Sequence, residues 1–193
     1  MSSKKAKETY VAFLRGINVG GHHKVPMSEL KKEFQKLGFE NIVTLLNSGN
    51  IIFESSSDNT SSLEQQISTH LEKAFGFPIP TIVRTSGFLG DLLIHNPFID
   101  IERTKDIRLY VSFLKENNDT DLKLPWKSPD NSYIIIEKRD RTIISVLDLS
   151  VSKTPKAMES MEHHYEKEIT TRNWNTIERI GKKLQPYTNP ERG

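Results

Sequence analysis

Apolar positions along the chain switch between the two-residue period of strands and the three-to-four-residue period of helices. The stretch from Glu8 to Ile17 is dense in β-branched and aromatic side chains and predicts a strand. Pro26 suits the first turn of a helix, where its missing N–H is not needed, and Met27, Leu30, Phe34 and Leu37 follow at helical spacing up to Gly38. Ile42-Val43-Thr44-Leu45-Leu46 and Ile51-Ile52-Phe53 flank Asn47-Ser48-Gly49-Asn50, whose Ser-Gly centre predicts a tight hairpin. Leu63, Ile67, Leu71 and Ala74 line a second helix ending at Gly76, and Thr81-Ile82-Val83 forms a fourth strand. The order β-α-β-β-α-β is that of the ferredoxin-like plait. A helix capped by Ser86 and carrying Leu89, Leu92 and Leu93 then stops before Asn96-Pro97.

The second half repeats this grammar. A strand is predicted from Ile107 to Leu114, a short helix from Asp119 to Trp126, and a hairpin from Tyr133 to Leu147 turning at Lys138-Arg139-Asp140-Arg141. Thr154-Pro155 opens a helix bearing Met158, Met161 and Tyr165, Ile169-Thr170-Thr171 is the last strand, and Asn173 caps a final helix with Trp174, Ile177, Ile180 and Leu184 on one face. The expected fold class is α+β: two tandem ferredoxin-like (α-β plait) modules, each an antiparallel sheet with helices packed on one face. The modules are placed at residues 1–96 and 106–193, with a linker at 97–105. Residue identity between the halves is too low for the sequence to establish a duplication.

Composition removes several classes. The 193 residues hold 35% hydrophobic and 27% charged side chains, an ordinary globular balance. The absence of cysteine excludes disulfides, thiol nucleophiles and thiolate metal sites, and fits a reducing, cytoplasmic setting. The densest apolar run, Tyr133-Ile134-Ile135-Ile136, is far short of a membrane span, and the basic N-terminus lacks the apolar stretch of a signal peptide. A net charge of +2 makes no strong electrostatic case for a nucleic-acid partner.

The run Phe13-Leu14-Arg15-Gly16-Ile17-Asn18-Val19-Gly20-Gly21, with Met27, Leu30, Gly38-Phe39 and Leu46-Asn47-Ser48-Gly49-Asn50, resembles the bacterial domain-of-unknown-function family sixteen-ninety-seven. Thr170-Thr171-Arg172-Asn173-Trp174-Asn175-Thr176 is similar to that family's closing signature. The resemblance implies paired α-β plaits and brings no activity, cofactor or catalytic residue. Where members often show a Ser-Lys-Leu-type segment, this chain has Ser152-Lys153-Thr154-Pro155.

In a plait the first and second strands run in the same direction, so the loop after the first and the hairpin after the second leave one end of the sheet. That places Arg15, Gly16, Asn18, Gly20, Gly21 and Lys24 near Asn47, Ser48, Gly49 and Asn50. Glycines let backbone N–H groups approach a ligand, and the helix opening at Pro26 adds a positive dipole end, so the cluster suits a small anionic or polar ligand. The competing reading gives the glycines to turn geometry and the asparagines to loop backbone. Arg172, before the last helix, is a further candidate for an anion or an internal ion pair, and Trp174 is expected to pack between helix and sheet.

Other motifs fall short of chemistry. Gly16-x4-Gly21 is followed by His22-His23 instead of the Lys and hydroxyl of a phosphate-binding loop. His163-His164 are adjacent on a helix and cannot converge on one ion, Glu159, Glu162, His163 and Glu166 form a solvated face, and no metal or cofactor is implied. Ser48 lacks a nucleophile elbow, and no catalytic residue stands out. Two alternatives to ligand binding remain: single-stranded nucleic acid stacked on Tyr10, Phe13 and Phe53, which the absence of an RNA-binding third-strand motif disfavours, and a non-catalytic interaction protein, monomer or homodimer.

Overall fold

The computed structural model describes residues 6–116, 123–151, 168–188 and the single positions 156, 159, 163 and 165. Two compact units emerge: residues up to Asp91 together with those from Ile180 on, and Leu92–Arg179. Each contains one antiparallel sheet with adjoining helices, the tandem α+β architecture expected of two plaits.

In the first unit, β1 (Glu8–Leu14), β2 (Glu40–Leu45), β3 (Asn50–Ser55) and β4 (Thr81–Thr85) form a sheet in the order β2-β3-β1-β4. The strand β1 ends before Arg15, three residues short of the predicted Ile17, because Gly16 and Asn18 take positive φ and turn the chain away. The helix α1 (Met27–Lys36) starts after Pro26, and α2 (Thr60–Phe75) is capped by Asn59 Oδ1, which accepts the Ser62 N–H at 2.9 Å. Gly76 ends α2 in the left-handed region at φ 79°, a conformation that suits a residue without Cβ. Leu30 and Phe34 of α1 and Leu63, Ile67 and Leu71 of α2 bury one sheet face, built from Tyr10, Ala12, Leu14, Ile51, Phe53 and Val83. Ala74, predicted on the same stripe, is exposed. The alternate residues Val11, Phe13 and Ile52 are fully buried too, so both sides of this sheet are shielded from water.

The edge strand β4 is closed by a buried ion pair. The outward Val83 N–H donates to Glu64 Oε1 at 2.9 Å, and Arg84 Nη1 donates to Val83 O at 2.9 Å. Glu64 and Arg84, each 3% exposed, stand 3.6 Å apart. An open strand edge offers unpaired backbone groups to any passing strand, and these two side chains occupy them. The helix α3 (Ser86–His95) follows, and it is Thr85, not the predicted Ser86, whose hydroxyl caps it by accepting the Phe88 N–H at 3.1 Å.

In the second unit, β5 (Ile107–Leu114), β6 (Trp126–Lys127), β7 (Tyr133–Arg139), β8 (Thr142–Asp148) and β9 (Ile169–Asn173) follow the order β6-β7-β8-β5-β9. Without β6 this is the same strand order as in the first unit. The short helix expected from Asp119 to Trp126 lies partly outside the described residues, and Trp126 belongs to β6 instead. The β7–β8 turn narrows to Asp140-Arg141, both at positive φ (48° and 58°), the mirror-image turn that matches strand twist. Lys156, Glu159 and His163 are helical and exposed; the rest of the helix expected after Thr154-Pro155, with Lys153, Met158, Met161, Glu162, His164 and Glu166, lies outside the described residues. Tyr133, Ile135, Ile143, Leu147, Leu114, Tyr165 and Ile169 form this unit's core cluster. The helix α4 (Trp174–Thr188) is entered through Asn173, whose Oδ1 accepts the Asn175 N–H at 3.0 Å.

Candidate functional site

The loop after β1 and the β2–β3 hairpin meet at one end of the first sheet. The reason lies in the register: Phe13 and Leu45 both pair with Asn50, so the end of β1, the end of β2 and the start of β3 coincide. The Leu14 N–H donates to Gly49 O at 2.8 Å, and the Arg15 N–H donates to Pro80 O at 2.9 Å. Asn18 joins the two segments. Its Nδ2 donates to Asn47 O (2.8 Å) and Val25 O (3.0 Å), while its Oδ1 accepts the Val25 N–H (2.8 Å). One side chain thus ties the loop to itself and to the hairpin, a role fixed by tertiary contacts that its local sequence does not announce.

The hairpin is equally specific. Positive φ falls at Gly49 (76°), within the Ser-Gly centre, and also at Leu46 (57°), just ahead of it. A Cβ on Gly49 would stand 2.7 Å from Leu14 Cβ and 2.8 Å from Ile17 Cδ1, so this position demands glycine twice over, by conformation and by space. Asn50 is fully buried and donates through Nδ2 to Leu45 O (3.1 Å) and Ser48 Oγ (3.0 Å), satisfying the turn from within.

Gly16, Gly20 and Gly21 differ from Gly49. All three are exposed at positive φ, with nothing within 4 Å of where a Cβ would stand. None donates its N–H to an acceptor among the described residues. Lys24, Asn47 and Ser48 are exposed around them, and Arg15 is half-buried. His23 is held by the loop: its ring stacks on Phe77 at 4.3 Å between centroids, and its Nδ1 lies 3.2 Å from Gly16 O. That aromatic contact is absent from any local motif, because Phe77 comes from the distant α2–β4 connection.

Arg172 belongs to the other unit. It lies in β9 opposite Val111, and its Nη1 donates to Thr170 Oγ1 and Thr171 O, both at 2.9 Å. Burial pushes its guanidinium down to about 10. Trp174 is buried and meets Phe98 edge-on at 5.2 Å. Tyr10, Phe13 and Phe53 are fully buried, with Tyr10 stacked on Phe53 at 5.7 Å, so the rings named for base stacking face protein. Burial first, and then Glu8, raise the Tyr10 phenol, which donates to Glu8 Oε2 and Ser57 O. Among the described residues no group of three or more His, Asp or Glu is placed to hold a metal ion, and no helix is long and apolar enough to cross a membrane.

The family model described as "Protein of unknown function (DUF1697)" matches residues 8–141, which contain the whole loop–hairpin cluster. The chain belongs to the DUF1697 family. Among solved structures, this DUF1697 chain is similar to the conserved bacterial protein SP0830 from Streptococcus pneumoniae, at 26% identity and a TM-score of 0.74 over 93% of this chain and 100% of that one. No curated protein matches it. The Thr170–Thr176 string lies beyond the residues matched to DUF1697.

Proposed function

We propose that this protein binds a small anionic or polar ligand at the end of the first sheet where the β1–α1 loop meets the β2–β3 hairpin. The observation that carries the reading is the exposed trio Gly16, Gly20 and Gly21, whose N–H groups have no acceptor among the described residues and whose Cα atoms have no neighbour where a side chain would stand. Backbone N–H groups in loops with residues of positive φ form concave anion cradles. Lys24 supplies exposed positive charge, Arg15 and Ser48 lie on the same two segments, and Pro26 starts α1 with no side-chain cap on its first N–H groups. Asn18 and Asn50 serve as scaffold, because their amides are spent on loop carbonyls. Of the residues named from sequence, the reading therefore rests on Arg15, Gly16, Gly20, Gly21, Lys24 and Ser48.

Isothermal titration with inorganic phosphate, a sugar phosphate, a nucleoside monophosphate and a dicarboxylate tests it. One of these is expected to bind saturably, with Lys24→Ala weakening it roughly tenfold or more, since a hydrogen bond to a charged group contributes about 1.5–3 kcal/mol. No saturable heat from the panel, or equal affinity in Lys24→Ala and Arg15→Ala, overturns the proposal.

A further inference from the structure

The β1–α1 loop is a small self-bonded finger. The Asn18 N–H donates to His23 O and the His22 N–H donates to Val19 O, both at 3.0 Å, and Gly20 and Gly21 turn the tip at φ 58° and 79°. At the base of the finger His23 takes φ 50°, a left-handed conformation uncommon for a residue with a Cβ. Its imidazole lies over Phe77 with 4.3 Å between centroids and 14° between planes, and its Nδ1 is 3.2 Å from Gly16 O. A carbonyl only accepts, so Nδ1 carries the hydrogen of that contact. Phe77 in turn packs against the core cluster of the first unit. The imidazole is therefore held on one face by a ring anchored in the core and at its edge by loop backbone.

His23 is nevertheless exposed, and since Phe77 covers one face, that exposure lies on the other face. Among the described residues no second ring and no charged side chain meets the imidazole. Two apolar side chains are exposed on the same pair of segments: Val19 at 67% on the finger, and Leu46 at 43% on the hairpin, which Asn18 Nδ2 ties to the finger through Asn47 O. Inorganic phosphate or a dicarboxylate would meet the glycine N–H groups and Lys24 and leave the ring unused. A ligand with a flat ring beside its charge would engage both. Successive Cα atoms are about 3.8 Å apart, so His23 stands within about 7 Å of Gly21, a gap that one pentose between a base and its phosphate can bridge.

Given the anion site proposed above, we infer that its ligand is a nucleoside monophosphate, with the base stacked on the open face of His23 and the phosphate at the Gly20–Gly21 tip and Lys24. Histidine is one of the side chains on which bases stack, and every base has a face to offer. The ring is fixed before the ligand arrives, so little ordering cost falls on binding. One platform beside one cradle holds one nucleotide. The rings that could extend a row of stacked bases, Tyr10, Phe13 and Phe53, are fully buried, which favours a free nucleotide over a strand.

The test is isothermal titration of the full chain with adenosine 5′-monophosphate and with ribose 5-phosphate, which differ by the base alone. The nucleotide is expected to bind more tightly by roughly fivefold or more, the usual worth of one stacked base. His23→Ala is expected to cancel that ratio, and His23→Trp to keep it and to show quenched fluorescence as the nucleotide binds. Should His23→Ala fail to fold, His23→Leu, which keeps bulk without a flat ring, is expected to cancel the ratio in its place. Equal affinity for the two compounds in the parent overturns the inference and leaves the anion site standing, as does binding of phosphate or a dicarboxylate alone. A ratio that survives both His23→Ala and His23→Leu overturns it too, since the ring then serves only the loop. No saturable binding of any anion overturns both proposals.

Discussion

The first unit fills the helix-facing side of its sheet with Tyr10, Ala12, Ile51, Phe53 and Val83, while the second sets Ser112, Ser145 and Thr171 at the matching register positions. β6 aside, both solutions keep the same strand order and the same Tyr-Val-x-Phe-Leu central strand. The contrast separates what the plait requires from what it tolerates. The central strand and the strand-cap-helix exit through Thr85 or Asn173 are kept, whereas the ring of Phe53 gives way to the hydroxyl of Ser145. Where the first unit has solid packing, its polarity moves to the loop end; where the second has hydroxyls inside the sheet face, its turns are compact and self-bonded.

The sharpest way to break the comparison is at the β4 edge. Glu64→Ala leaves Arg84 charged and 3% exposed and strips the Val83 N–H of its acceptor. A loss of about 3–5 kcal/mol in urea unfolding is expected. A change below about 1 kcal/mol would mean that the pair does not secure the first unit. Next in size is Gly49→Ala, which adds a Cβ 2.7 Å from Leu14 Cβ at φ 76°. Overpacking of this kind costs about 1–3 kcal/mol. An unchanged urea midpoint would show that the loop–hairpin junction yields freely.

The smallest effect belongs to the second unit's Ser128–Ser132 turn. The hydroxyls of Ser128 and Ser132 and the Ser132 N–H donate to Asp130, lowering its carboxyl to about 2. A folded-state value below the ordinary carboxylate range of about 3.9 means that the stabilisation is present above that pH and is lost as pH falls toward about 2. Asp130→Asn should therefore narrow the gap in stability between neutral and acid solution, read as a melting temperature that falls less on acidification than in the parent. An identical acid profile would assign that turn no titrating role.

Much of this architecture was legible from local chemistry. Pro26 before Met27, Gly76 after Phe75 and the alternation in β1 report on their own immediate backbone, and the order of elements follows. The meeting of the loop with the hairpin was legible as well, because strand direction in a plait dictates it. What stayed hidden depends on partners far along the chain. Asn18 reads as a loop asparagine until Asn47 O is placed beside it, and His23, exposed as its loop position suggests, shows its stacking on Phe77 only once the α2–β4 connection is in place. The Tyr10–Leu14 and Tyr110–Leu114 correspondence is visible as letters, but its meaning needs the registers that set Phe53 against Ser145.

The placement of β1 has a consequence for synthesis. It is the earliest strand of the first unit, yet both its neighbours, β3 and β4, are encoded downstream. In the second unit β5 waits in the same way for β8 and β9. Chains grow from the N-terminus at about 5–20 residues per second, so each central strand must stay unpaired for seconds after leaving the ribosome. Tyr-Val-Ala-Phe-Leu and Tyr-Val-Ser-Phe-Leu are the segments that a chaperone would meet first, and a nascent chain stalled before Thr81 would present one of them bare along one side.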